Sequence, residues 1–263
     1  MRISEIFYSL QGEGFLAGVP SVFVRLAGCP LRCRWCDTKY AWEETAGQDY
    51  NIAGIIQTVG KWPCKFVVIT GGEPMINPNL PELVQDLKAA GKHITIETAG
   101  IVFVPELPCD LMSISPKLSN STPSTEDRSQ KPALSAVVGT EIRSLAPTSF
   151  DSAQDGPVVG AGGPENGRQK FSRSDIAVLR DLIDSYKYQL KFVVDSQDDL
   201  LEIQQTLKQI GNVDLEKVML MPQAATRDEL LATSPMVAEM CKSTGFTLCQ
   251  RLQVLLWNNK KAT

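Results

Sequence analysis

Short apolar runs alternate with amphipathic stretches along most of this 263-residue chain. Val22-Phe23-Val24-Arg25-Leu26 reads as a strand with Val22, Val24 and Leu26 on one face and Phe23 and Arg25 on the other. Ile52, Ile55, Ile56 and Val59 then recur at helical spacing behind Asn51, a good N-cap residue. Phe66-Val67-Val68-Ile69-Thr70 is a second strand. The next helix carries Leu80, Leu83, Val84 and Leu87, with Pro81 in its first turn and Gly91 past its end. Strands Ile94-Thr95-Ile96-Glu97 and Leu111-Met112-Ser113-Ile114 follow. A helix bearing Ile176, Leu179 and Ile183 leads to strand Leu190-Lys191-Phe192-Val193-Val194. Another helix, with Leu200, Ile203, Leu207 and Ile210, is closed by Gly211 before strand Val218-Met219-Leu220-Met221. Beyond Arg227 two helical pieces are expected, split at Ser234-Pro235 as an N-cap and an N1 proline. A last apolar segment, Leu252 to Trp257, is expected to pack on the core. Strand, loop and helix thus alternate about six times, which predicts an α/β fold: a parallel sheet with covering helices, doubly wound or closed like a barrel.

Both architectures bind ligands at the carboxyl ends of their strands. The chemically distinctive residues fall there repeatedly. Three cysteines, Cys29, Cys33 and Cys36, follow the first of these strands. Gly71-Gly72-Glu73-Pro74 follows the second, Glu97-Thr98 ends the third, Ser115-Pro116-Lys117 follows the fourth, and Gln223 follows the last. The cysteines are spaced C-x3-C-x2-C, with no fourth at ligand distance in the sequence. Structural zinc sites and ferredoxin clusters normally recruit four protein ligands. Three thiolates on a four-iron cluster leave one iron open, and an open coordination site is where metal chemistry occurs.

Composition narrows the alternatives. A single histidine, His93, leaves little room for a catalytic triad or a histidine-rich metal site. The net charge of −4 and the lack of a dense basic run argue against nucleic acid as a direct ligand. No apolar run reaches the ~18 residues of a membrane span, and Met1-Arg2-Ile3-Ser4-Glu5 has no apolar signal-peptide core. A cytoplasmic location is therefore expected, with Cys64, Cys109, Cys241 and Cys249 as reduced, buried or incidental thiols. From Asn120 to about Lys170 the chain is rich in Ser, Pro, Gly, Thr and Ala. It reads as a disordered low-complexity insertion, 120–170, within one domain that spans 1–263.

These motifs together resemble the radical S-adenosylmethionine (SAM) superfamily. With Leu10-Gln11-Gly12-Glu13-Gly14, Arg25, Trp35-Cys36-Asp37-Thr38 and Thr70 added, the chain is similar to the 7-carboxy-7-deazaguanine synthase family. The resemblance implies a partial (β/α)6 barrel of radical SAM type. It also implies a carbon–nitrogen lyase that converts 6-carboxy-5,6,7,8-tetrahydropterin to 7-carboxy-7-deazaguanine with loss of ammonia, a step towards queuosine. The implied cofactors are a [4Fe-4S] cluster, SAM and Mg2+. Carried over by position, Cys29, Cys33 and Cys36 hold the cluster and Thr38 the Mg2+. Trp35, Cys36, Asp37, Gly72, Glu73, Ser115, Pro116, Lys117 and Gln223 contact SAM. Leu10, Gln11, Gly12, Glu13, Arg25 and Thr70 hold the pterin. No catalytic side chain is implied beyond cluster and SAM. Implied partners are a flavodoxin- or ferredoxin-like electron donor and a second copy in a homodimer. Gln253 stands where relatives often show a histidine, and it receives no role from the resemblance. The nearest rival, a radical-SAM glycyl-radical activase, would share the cysteines and Gly-Gly-Glu but lack Gln-Gly-Glu-Gly and Cys-Asp-Thr.

Overall fold

Val22, Val24 and Leu26 are buried on one face of their strand, while Arg25 on the other face is only partly covered. The computed structural model describes residues 1–122, 175–258 and 260. The insertion expected over 120–170 lies, from residue 123 onward, outside the described residues.

The strands are β1 (Arg2–Leu10), β2 (Pro20–Leu26), β3 (Gln48–Asp49), β4 (Phe66–Gly71), β5 (His93–Thr98), β6 (Leu111–Ile114), β7 (Tyr188–Val194), β8 (Val218–Pro222) and β9 (Thr247–Leu248). The helices are α1 (Ile52–Val59), α2 (Leu80–Ala89), α3 (Ile176–Ser185), α4 (Asp199–Ile210), α5 (Arg227–Thr244) and α6 (Leu252–Trp257). The strands form one sheet in the order β3-β1-β2-β4-β5-β6-β7-β8-β9. From β2 to β8 every neighbouring pair is parallel, as the alternation predicts. The expected α1 N-cap is present, with the Asn51 side chain accepting from the Gly54 amide.

Three features depart from the sequence reading. First, β1 is an added strand that pairs antiparallel with β2. An irregularity between Ile3 and Glu5 flips its parity. Ile3 and Ile6 therefore both pack on the core, while Glu5, Phe7 and Ser9 turn to the cavity. Second, residues 99–110 join β5 to β6 without a helix. Third, Ser234-Pro235 does not split the chain: α5 runs unbroken through Pro235. Pro235 lacks the N–H that the Leu231 carbonyl would accept. The helix persists because Leu230, Val237, Met240 and Cys241 keep one face buried, and because Ser234 Oγ donates to the Leu230 carbonyl at 2.6 Å.

The main core lies between the sheet and its helices, with Leu80, Leu83 and Leu87 of α2 fully buried against Val67, Ile69, Ile94 and Ile96. Residues on the opposite face fall into rows set by register. Glu5 pairs with Arg25 and Arg25 with Thr70, while Glu97 pairs with Ser113 and Ser113 with Gln189. The open side is bridged near the strand ends. Leu252 N donates to Gly12 O at 2.9 Å, and Gly14 N donates to Cys249 Sγ at 3.2 Å.

Candidate active site

The polar rows open on a cavity of about 290 Å³ at the carboxyl ends of the parallel strands. Its lining brings together Leu10, Gln11, Gly12, Glu13, Arg25, Cys29, Cys33, Trp35, Cys36, Asp37, Thr38, Thr70, Gly72, Ser115, Lys117 and Gln223. With Glu97, Thr98, Lys191, Arg251 and Gln253, which also line the cavity, these come from both ends of the chain and from almost every parallel strand between. Of the residues implied by the resemblance, Glu73 and Pro116 do not line it.

The placement of Glu73 has a physical reason. Its carboxylate accepts from Thr98 Oγ1 at 2.7 Å, Ala99 N at 2.7 Å and Met75 N at 3.1 Å. Burial pushes its pKa upward against those donors. Glu73 thus ties the end of β4 to the end of β5 rather than presenting an acceptor to the cavity. Gly72 is constrained similarly. A Cβ there would stand 2.0 Å from the Gly28 carbonyl oxygen, so the missing side chain lets the cysteine loop lie against β4.

The cysteine loop is held by its own residues. Gly28 N and Cys29 N donate to Ala41 O and Trp42 O, both at 2.9 Å. The buried Arg32 guanidinium donates through one terminal nitrogen to Cys29 O at 2.5 Å and Leu31 O at 3.0 Å. Arg34 reaches Asn120 O at 2.6 Å and the Asp195 carboxylate. Cys29, Cys33 and Cys36 are free thiols packed in an apolar layer with Leu31, Trp35, Ala99 and Ile101. Burial, and then the Glu73 carboxylate, push the Cys29 thiol up to about 12, so a thiolate here needs a cation beside it. Among the described residues no three His, Cys, Asp or Glu side chains converge on a single-ion site. Three thiols on one loop without that convergence suit a multi-iron cluster better than a lone ion.

Beside the loop, Lys117 Nζ sits 5.3 Å from the centre of the Trp35 ring and donates to Ser115 Oγ at 2.9 Å. The Trp35 indole N–H is buried with no partner among the described residues, leaving a donor for a bound group. Thr38 Oγ1 lies 3.6 Å from Cys36 Sγ and is a single hard oxygen donor.

Across the cavity, Arg25 Nε donates to Glu5 Oε1 at 2.7 Å, and Tyr40 OH donates to the same oxygen at 2.7 Å. Nε is the only atom of the guanidinium paired with a described residue, which leaves both terminal nitrogens for a planar anion. Thr70 is its neighbour on β4.

Glu13 is the hub of a second network. It accepts from Lys191 Nζ at 2.9 Å, Gln253 Nε2 at 2.7 Å and Arg251 Nε at 3.3 Å. Burial alone would raise its pKa, but Lys191 and then Arg251 hold it well below the usual carboxylate range. Arg251 also donates to Asp37 Oδ2 at 2.7 Å and to the Ala224 carbonyl, so it links the cysteine loop to the Gln-Gly-Glu-Gly loop. Glu97 accepts from Gln11 Nε2 at 3.1 Å through one oxygen only. Sequence reasoning assigned no role to Glu5, Tyr40, Lys191, Arg251 or Gln253. For Lys191 a signal was present: a lysine inside an apolar strand must find partners if it is buried.

Residues 24–118 match the model of the Radical SAM superfamily. Over 264 residues the chain is 37% identical to a 7-carboxy-7-deazaguanine synthase of Rhodopirellula baltica, covering 100% of this chain and 89% of that one. Over 270 residues it is 38% identical to a 7-carboxy-7-deazaguanine synthase of Halobacterium salinarum, covering 100% and 93%. The fold is similar to the crystal structure of QueE from Escherichia coli, with a TM-score of 0.59 at 22% identity over 94% of this chain and 92% of that one.

Proposed function

This chain belongs to the 7-carboxy-7-deazaguanine synthase family of radical SAM enzymes, and we propose that its cavity divides into a cofactor half built on the cysteine loop and a substrate half built on β1, β2 and the Gln-Gly-Glu-Gly loop. The reaction is that of a carbon–nitrogen lyase: ring contraction of 6-carboxy-5,6,7,8-tetrahydropterin to 7-carboxy-7-deazaguanine with loss of ammonia. Its cofactors are a [4Fe-4S] cluster, SAM and Mg2+. When bound, the cluster and SAM would supply the radical chemistry that starts the rearrangement.

In this reading Cys29, Cys33 and Cys36 hold the cluster. Trp35, Asp37, the Gly72 backbone, Ser115, Lys117 and Gln223 hold SAM. Lys117 offers its ammonium to the SAM carboxylate or ribose, and the unpartnered Trp35 N–H offers a further donor. Thr38 is the protein ligand of Mg2+, which typically keeps waters and substrate oxygens for its other positions. Glu73 acts from behind, fixing the loop against which SAM lies.

Arg25 receives the pterin carboxylate on its two terminal nitrogens while Glu5 and Tyr40 fix its Nε edge. Gln11, Glu13 and Glu97 face the amino-pyrimidine edge. Three donors already occupy Glu13, so the open oxygen of Glu97 is the better acceptor. The observation that carries the reading is that the three cysteines and Arg25 open on one cavity. Family membership decides against the glycyl-radical activase. Among the described residues no helix is long and apolar enough to cross a membrane. A cytoplasmic location, a flavodoxin- or ferredoxin-like donor, a homodimer, no direct nucleic-acid contact and a single domain over 1–263 complete the proposal.

Arg25 provides the test of the substrate half. Arg25→Ala should raise the apparent Michaelis constant for the pterin by about 10- to 100-fold, the range for loss of one charge-assisted pair. Reductive SAM cleavage without substrate should persist. An unchanged Michaelis constant would remove Arg25 from the carboxylate site.

A further inference from the structure

Arg32 sits between the first two cysteines of the loop and does not line the cavity. Its side chain is 7% exposed. One face lies 5.0 Å from the centre of the Trp42 ring. One terminal nitrogen donates to Cys29 O and Leu31 O, and the other pairs with Glu43 Oε1 at 3.0 Å. Its Nε is buried without a partner among the described residues. A buried guanidinium with an unmet donor is costly to keep for loop geometry alone, because a neutral amide could satisfy carbonyls there.

We propose that Arg32 sets the reduction potential of the cluster held by Cys29, Cys33 and Cys36. Reduction adds one electron to an assembly that already carries thiolate charge, and the potential of such clusters responds to nearby charge and burial. The Arg32 charge is buried and little screened, so it favours the reduced form. Its counter-ion Glu43 is 49% exposed, so water offsets part of the opposing effect. Arg32 acts by its charge from behind the loop and is not a catalytic residue. The inference rests on the cysteine assignment above.

The test is an EPR-monitored redox titration of the reconstituted wild type, Arg32→Gln, Arg32→Lys and Glu43→Gln. Arg32→Gln should lower the midpoint, cutting the reduced-to-oxidised ratio at fixed poise by about threefold or more, some 28 mV for this one-electron couple. Glu43→Gln should raise it, and Arg32→Lys should stay near wild type because the charge is kept. A loop merely distorted by mutation would not give opposite signs for the two neutral substitutions. If Arg32→Gln does not load iron, Glu43→Gln decides alone, since its half-exposed side chain can be neutralised without burying a defect. Midpoints unchanged, or shifted in the same direction in both neutral variants, overturn the role of Arg32. A wild type that assembles no four-iron cluster overturns the cysteine assignment itself.

Discussion

Cys33→Ala is expected to abolish both the cluster absorbance and turnover. With only three thiolates in the loop, losing one leaves two irons without protein ligands, and among the described residues no other cysteine or histidine lies on the loop. Cys64 lies at the other end of the sheet, where its thiol donates to Pro20 O at 3.0 Å and Phe66 O at 3.4 Å. Cys249 is engaged by the Gly14 amide. The single histidine, His93, starts β5 far from the loop and packs on Phe66. Cys64→Ala is the matched control and should keep both cluster and activity. Iron content and visible absorbance after anaerobic reconstitution read the result. A normal cluster in Cys33→Ala would refute the ligand assignment.

The second large effect is on stability. Lys191 is 3% exposed in β7, 2.9 Å from Glu13 and 3.9 Å from Glu97. Lys191→Met would leave the partly buried Glu13 and Glu97 carboxylates with only Arg251 still paired to one of them. Breaking a buried pair in this way costs about 3–5 kcal/mol. The pH dependence has a definite sign. In the wild type the Glu13 pKa is depressed below its ordinary value of 4.5, so its stabilising contribution is present above that pH. That contribution is lost as pH falls through the depressed value. In Lys191→Met the largest lowering influence is gone, Arg251 and Gln253 still oppose burial, and the Glu13 pKa is less depressed. The stability deficit should therefore be full at neutral pH and shrink as pH falls below 4.5. Urea midpoints at neutral pH and at a pH below 4.5 measure it. A deficit that is the same at both would show that the lysine contributes packing rather than charge.

The parallel strands were legible because each is buried on both faces and reads as an apolar run bounded by polar residues. The rim was legible for the same reason, since residues that break such runs collect at strand ends. β1 was not, because its irregularity at Ile3/Glu5 breaks the period of two on which strand recognition depends. Pro235 misled because local propensity argued for a break, whereas the buried face of α5 outweighs one missing hydrogen bond. Glu73 was given a ligand's role on its place in a motif, but its carboxylate is consumed by Thr98, Ala99 and Met75. The cluster of Glu13, Lys191, Arg251 and Gln253 joins Glu13 to partners 178 or more positions further along the chain, a juxtaposition that only folding creates. The Glu13 motif itself was readable; its partners were not.

Anaerobic turnover tests the account most directly. Purified protein reconstituted with iron and sulfide is given SAM, a reductant, Mg2+ and 6-carboxy-5,6,7,8-tetrahydropterin, and the products are followed by liquid chromatography and mass spectrometry. 7-carboxy-7-deazaguanine and ammonia should form, with SAM recovered. An intact cluster that still cleaves SAM but forms no 7-carboxy-7-deazaguanine would contradict it.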